Sequence, residues 1–183
     1  MKKSIIAFFA FLGVQSGAFA QAYDGYGDLK VFLGYTNIGG NSGIEYQNNL
    51  GVNDLFSWGT QVTYLFSTKE KEAVGIENGF KFIDKIDVGC FLRFHFLETL
   101  KLPKNVDVFL GGDASVHSLG VHTGFKYNFT EKIGVYGMYK QGLSSIMGES
   151  FSLSEDENGN PIPDFFAKKA AISVGITINM NNW

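Results

Sequence analysis

The sequence predicts an all-β protein, with eight antiparallel strands in up-and-down order closed into a barrel. Three observations predict it. Apolar and polar residues alternate with a period of two through eight stretches, with turn signals or irregular segments between them. One face of each stretch collects valine, leucine, isoleucine and aromatic residues, while the other collects glycine and charges of both signs. No helical period recurs after residue 20, and an even strand count favours closure.

The chain has 183 residues, 45% of them hydrophobic, and its one long apolar block stands at the start. There Lys2 and Lys3 precede Ile5 to Val14, and the stretch closes on Ala18-Phe19-Ala20. This is the pattern of a secretory signal peptide over residues 1–20, too short to cross a bilayer as a helix. Cleavage is expected before Gln21, leaving a barrel domain over 21–183. No cysteine follows the cut, so no lipoprotein anchor is expected. Without Lys2 and Lys3, 13 basic residues face 18 acidic ones, a net charge of −5 with no basic cluster. Nucleic acid is therefore not an expected partner. Cys90 is the single cysteine, which excludes an internal disulfide. Its place on the apolar face suits a small packing role better than a reactive one.

Taken in order, the first strand alternates Leu29, Val31, Leu33 and Tyr35 against Lys30, Phe32, Gly34 and Thr36, and Gly39-Gly40-Asn41-Ser42 signals a turn. The second, from about 43 to 50, sets Ile44 and Tyr46 against Glu45 and Gln47, before a turn at Gly51-Val52-Asn53-Asp54. In the third, Phe56, Trp58, Thr60, Val62, Tyr64 and Phe66 oppose Ser57, Gly59, Gln61 and Thr63. Ser67 to Asn78 is charged and irregular, a loop leading through Phe80 and Phe82 into the fourth strand over 85–96. Here Ile86, Val88, Cys90, Leu92, Phe94 and Phe96 oppose Lys85, Asp87, Gly89, Phe91, Arg93 and His95. After a turn over 97–105, Val106, Val108, Leu110, Gly112 and Ala114 oppose Asp107, Phe109, Gly111 and Asp113. The sixth strand sets Leu119, Val121, Thr123, Phe125, Tyr127 and Phe129 against Gly120, His122, Gly124, Lys126 and Asn128, and Thr130-Glu131-Lys132 reverses the chain. In the seventh, Ile133, Val135, Gly137 and Tyr139 oppose Gly134, Tyr136, Met138 and Lys140. A long irregular stretch from Leu143 to Phe166 precedes the last strand, where Ala170, Ile172, Val174, Ile176, Ile178 and Met180 oppose Ala171, Ser173, Gly175, Thr177 and Asn179.

Alternation alone does not separate a barrel from a secreted sandwich, whose outward face is polar and whose core is apolar. Side-chain size does. The polar face carries Gly34, Gly59, Gly89, Gly111, Gly120, Gly124, Gly134 and Gly175 among Lys30, Glu45, Asp87, Arg93, Asp113, Lys126 and Lys140. Small residues and paired ions suit a narrow barrel interior. On the apolar face, aromatics gather at strand ends, as Phe56 and Trp58 against Tyr64 and Phe66, or Tyr127 and Phe129. Two aromatic belts around an aliphatic band are what a transmembrane barrel presents at its two interfaces. Turning Arg93 outward to lipid at mid-depth costs about 2–4 kcal/mol, so the charges pin the register.

These features together resemble the small eight-stranded outer-membrane proteins of the OmpX, OmpA-barrel and OmpW type. Tyr23-Asp24-Gly25-Tyr26-Gly27-Asp28 and Leu50-Gly51-Val52-Asn53-Asp54 resemble an uncharacterised family of small flavobacterial outer-membrane proteins. The last strand, Ser173 to Met180, is similar to the signal by which the barrel-assembly machinery recognises its clients, with Ile178 and Met180 where aromatics are usual; Trp183 falls off the apolar face. The resemblance implies the cell outer membrane as location, lipid and lipopolysaccharide as surroundings, the assembly machinery as a partner during biogenesis, and a monomer. It also implies that the amino end and short turns face the periplasm, and that Ser67–Asn78 and Leu143–Phe166 face outside.

Three clusters offer chemistry. His95 and His122 share the polar face with Asp87, Asp107 and Asp113, a nitrogen and oxygen set suited to a metal, but on separate strands and without diagnostic spacing. The ordinary reading, histidines satisfied in a polar lumen, is preferred, and no tightly held metal is expected. Ser115, His117 and Ser118 lie at the outer rim, where a serine hydrolase or acyltransferase acting on lipid A needs an acid that neither Asp113 nor any glutamate can be assigned to supply. Asp156-Glu157-Asn158-Gly159-Asn160 loosely resembles a calcium loop with its glycine out of register, and a solvated loop tip fits better. No cofactor is expected, and no catalytic or metal residue is assigned. The expected function is a non-enzymatic outer-membrane barrel with a structural or surface-contact role. The alternative is a small pore or a conduit for hydrophobic solutes, as in OmpW-like proteins.

Overall fold

The computed structural model describes residues 21–67, 82, 85–143, 166 and 169–181. The expected leader over 1–20, the loop sequence 156–160, Phe80 and Trp183 lie outside the described residues.

Eight strands form: β1 Leu29–Ile38, β2 Asn41–Gly51, β3 Phe56–Ser67, β4 Ile86–His95, β5 Val106–Ser115, β6 Leu119–Asn128, β7 Ile133–Gly142 and β8 Ala170–Asn179. Each pairs antiparallel with its neighbour in sequence, and β1 pairs with β8 from Lys30↔Asn179 to Ile38↔Ala171, so the sheet is a closed barrel without edges. The expected fold class is the one observed.

Turn chemistry trims several expected boundaries. The four-residue turn expected at 39–42 contracts to Gly39-Gly40, both at positive φ (59° and 93°), while Asn41 and Ser42 join β2. Only a residue without Cβ takes that conformation freely at two successive positions, and the resulting turn matches the twist of the flanking strands. Gly51 likewise belongs to β2, and the reversal after it is closed by Asn53 Oδ1, which accepts from Leu55 N and Phe56 N, both at 2.9 Å.

Every strand keeps its expected faces. Along β8, Ile172 and Val174 are 60% and 54% exposed, whereas Ser173 and Thr177 between and beyond them are 1% exposed. The barrel is thus inverted relative to a water-soluble core, with Leu33, Ile44, Trp58, Leu92, Leu110, Phe125 and Ile176 on the outer wall and Lys30, Gln47, Arg93, Asp107 and Lys126 buried within. Aromatic pairs ring the short-turn end, Phe56 with Phe94, Phe94 with Phe96, and Tyr127 with Phe129, at centroid distances of 4.8–5.2 Å. Tyr64 and Phe82 meet at the other end.

The lumen glycines have a specific partner each. In the strand register Gly59 stands opposite Phe91, Gly124 opposite Phe109, Gly175 opposite Tyr136, and Gly111 opposite His122. A Cβ on Gly59 would stand 2.5 Å from Phe91 Cζ, and one on Gly124 would stand 2.6 Å from Phe109 Cζ. The rings lie over the glycines, which is how an eight-stranded barrel finds room for aromatic side chains inside.

Candidate functional site

Among the described residues, chemistry-bearing side chains gather in the lumen, stacked from the short-turn mouth to the opposite one.

At the short-turn mouth, the segment 21–28 folds inward. Ala22 and Tyr23 are buried, although nothing periodic marks them. Ala22 N donates to Lys104 O at 2.7 Å, and Asn128 Nδ2 donates to Gln21 O at 2.8 Å. Tyr23 Oη lies 2.7 Å from Asn53 O and 2.6 Å from Phe56 O, so its one proton is shared between two carbonyls. Burial pushes this phenol well above the ordinary tyrosine range, and the carboxylates of Asp28, Asp107 and Asp54 add to the effect. Asp28 accepts from Lys30, and Asp24 lies 3.6 Å from the same ammonium. Burial raises the Asp24 carboxyl, against the opposing pull of Lys30.

Beneath this segment lies a relay that sequence reading did not assemble. Ser57 Oγ is 2.7 Å from His95 Nε2, and His95 Nδ1 is 2.7 Å from Asp107 Oδ2. Ser57 Oγ also donates to Asn49 Oδ1 at 2.7 Å. The three residues come from β3, β4 and β5, and Tyr23 stacks on His95 with ring centroids 3.7 Å apart and planes 7° from parallel. Lys126 Nζ lies 3.7 Å from Asp107 Oδ2 without a hydrogen-bond partner, as does Asn49 Nδ2 lack one among the described residues.

The middle level centres on Arg93, fully buried. Its guanidinium carbon lies 4.0 Å from the ring centre of Phe91, 4.5 Å from that of Phe109 and 5.1 Å from that of Phe32. Nε donates to His122 Nε2 at 3.0 Å, and Nη2 donates to Gln47 Oε1 at 2.5 Å. The expectation of paired lumen ions therefore holds for Lys30, Lys126 and Lys140, the last 2.7 Å from Asp113, but needs correction for Arg93. No described carboxylate lies within ion-pair distance of it. Aromatic faces and neutral acceptors surround the charge instead, because the rings of β1, β4 and β5 converge at this height.

At the opposite mouth, Glu45 accepts from Tyr136 Oη at 3.2 Å and Ser173 Oγ at 3.4 Å. Ile38, Leu65, Phe166 and Ala171 form an apolar cap above.

The histidine and aspartate set singled out in the sequence is brought inside but not together. Each histidine of the chain takes one aspartate through Nδ1: His95 with Asp107, His122 with Asp113 at 3.0 Å, and His117 with Asp87 at 3.2 Å. Among the described residues no group of three or more His, Cys, Asp and Glu is placed to hold a metal. At the rim, Ser115 and Ser118 bond to each other, with Oγ atoms 3.2 Å apart, while His117 turns to Asp87 and stacks on Phe166. Asp113 is spent on His122 and Lys140. Ser57 was missed as a partner of His95 because strand parity gives the face a side chain points to and not its height.

Fold and lumen define a small eight-stranded β-barrel protein with a packed polar interior. The chain belongs to the Family of unknown function (DUF6646), whose model matches residues 11–146. No curated protein matches it.

Proposed function

We propose that the protein is an integral barrel of the outer membrane, of the OmpX, OmpA-barrel and OmpW type, with a structural or surface-contact role and no catalysis. The observation that carries this reading is the inverted barrel. Charged side chains lie buried inside, and a continuous wall of Leu33, Ile44, Trp58, Leu92, Leu110, Phe125 and Ile176 faces outward. Exposed apolar surface on this scale is sustainable only against another apolar phase, and a closed sheet leaves no open edge of unbonded main-chain groups, as hydrocarbon requires.

The likeness of Tyr23–Asp28 and Leu50–Asp54 to a flavobacterial outer-membrane family supports that finer assignment, with segment 21–28 and the short turns in the periplasm. A conducting pore is disfavoured, since Phe32, Phe109, Tyr136 and Met138 pack together across the lumen and both mouths are covered. The deciding experiment is gel migration of outer-membrane fractions with and without heating. A band in that fraction whose mobility changes on boiling supports the reading; a freely soluble monomer without detergent overturns it.

A further inference from the structure

We infer that Ser57, His95 and Asp107 form a nucleophilic site that Tyr23 holds silent by occupying the place of a small acyl substrate. The inference goes beyond the structural role proposed above and does not depend on the membrane reading, since it rests on lumen geometry alone.

A serine becomes a nucleophile when a neighbouring imidazole accepts its proton and an acid fixes the imidazole through its other nitrogen. Both contacts are present at 2.7 Å, and the serine hydroxyl, which at rest donates to Asn49 Oδ1, would turn its proton to Nε2 on attack. Asp107 is buried and acts on Nδ1, which leaves Nε2 to the serine hydroxyl. The site also needs donors for the oxygen that becomes negative as a carbonyl is attacked. One buried donor without a hydrogen-bond partner stands next to the serine: Nδ2 of Asn49, on the carboxamide whose Oδ1 accepts from Ser57. Leaving such a group unpaired is costly in a purely structural network, and it would be used in a reacting one.

What the sealed barrel lacks is space, and Tyr23 takes it. Its ring covers the face of His95, and its hydroxyl is tied to the carbonyl of Phe56, the residue before Ser57. Removing the phenol side chain leaves a space of its own size against His95 and the Phe56–Ser57 peptide. A small ester fits that volume. Ser57 Oγ would attack the carbonyl carbon as its proton passes to His95 Nε2, and the ester C–O bond would break as the leaving alcohol takes that proton back. Water would then release the acid from the acyl-serine by the same route.

The test uses phenylmethanesulfonyl fluoride on the full barrel in detergent, with peptide mass spectrometry. In that reaction the serine O–S bond forms, the S–F bond breaks, fluoride leaves, and the proton goes to His95. Tyr23→Gly is expected to be sulfonylated at Ser57 about 10- to 100-fold faster than the unaltered protein, the factor that an aromatic stack and a shared hydrogen bond would withhold. Free phenol should slow the variant again by refilling the space. Adding His95→Gln should abolish the gain. A Tyr23→Gly barrel with native heat-modifiable migration but no faster labelling overturns the inference, as does labelling that persists with His95→Gln. If Tyr23→Gly fails to fold, Tyr23→Phe decides: it keeps the ring but frees it from Asn53 O and Phe56 O, and should be labelled faster by a smaller factor, whereas no change sinks the proposal.

Discussion

Arg93 donates its Nε proton to Nε2 of His122 across 3.0 Å. A guanidinium can only donate, so His122 must accept there and carry its proton on Nδ1, where Asp113 receives it at 3.0 Å. One buried cation therefore sets the tautomer of a histidine on the far side of β5, and through it the direction of a chain ending at Lys140.

Removing that cation should be expensive. Arg93→Ala leaves a cavity between Phe91 and Phe109 and strips Gln47 and His122 of their donor, an expected loss of about 3–5 kcal/mol. Arg93→Lys keeps the charge but not the flat face that lies on Phe91, an expected loss of about 1–2 kcal/mol. Urea unfolding in lipid vesicles measures both; no loss in Arg93→Lys would show that stacking contributes nothing, and a loss equal to that of Arg93→Ala would show that the retained charge contributes nothing.

Gly124 should not tolerate a methyl group. Its Cβ would meet Phe109 Cζ and the carbonyl oxygen of Gly137, both at 2.6 Å, and the carbonyl cannot move without disturbing the ladder. Gly124→Ala is expected to cost about 1–3 kcal/mol. In a double-mutant cycle, Phe109→Leu should recover part of that cost; strict additivity of the two changes would mean that ring and glycine are not coupled.

Outward positions give the opposite test. Val174 and Leu92 are more than half exposed, so a lysine at either would be harmless in a water-soluble barrel. Against lipid, Val174→Lys or Leu92→Lys is expected to cost about 2–4 kcal/mol at mid-depth. Cys90, exposed on the same wall, should resist a charged maleimide in intact vesicles and yield to a lipid-soluble one.

The Tyr23 seal should respond to alkali. An unfolded phenol ionises near pH 10, whereas this one is raised by burial. The folded state keeps the proton longer, so the contribution of Tyr23 is complete below about pH 10 and is lost as pH climbs from there through the raised folded value. Protease protection of residues 21–28 should fall over that range in the unaltered protein. Tyr23→Phe should start less protected, having lost its bonds to Asn53 O and Phe56 O, and show no such alkaline step.

The sequence by itself determined the strand number, the face of each side chain and the inversion of the barrel, because a period of two is local and every strand repeats it. It placed Arg93, His95 and Asp107 inside by parity, and it read the lumen glycines as a sign of narrowness. Only the tertiary structure decided which of these side chains meet. Ser57, His95 and Asp107 come together because the hydrogen-bond register of β3, β4 and β5 lifts them to one height, and register is fixed by closure of all eight strands at once. Tyr23 carries no periodic signal at all, since its position depends on a mouth that exists only after the barrel has closed.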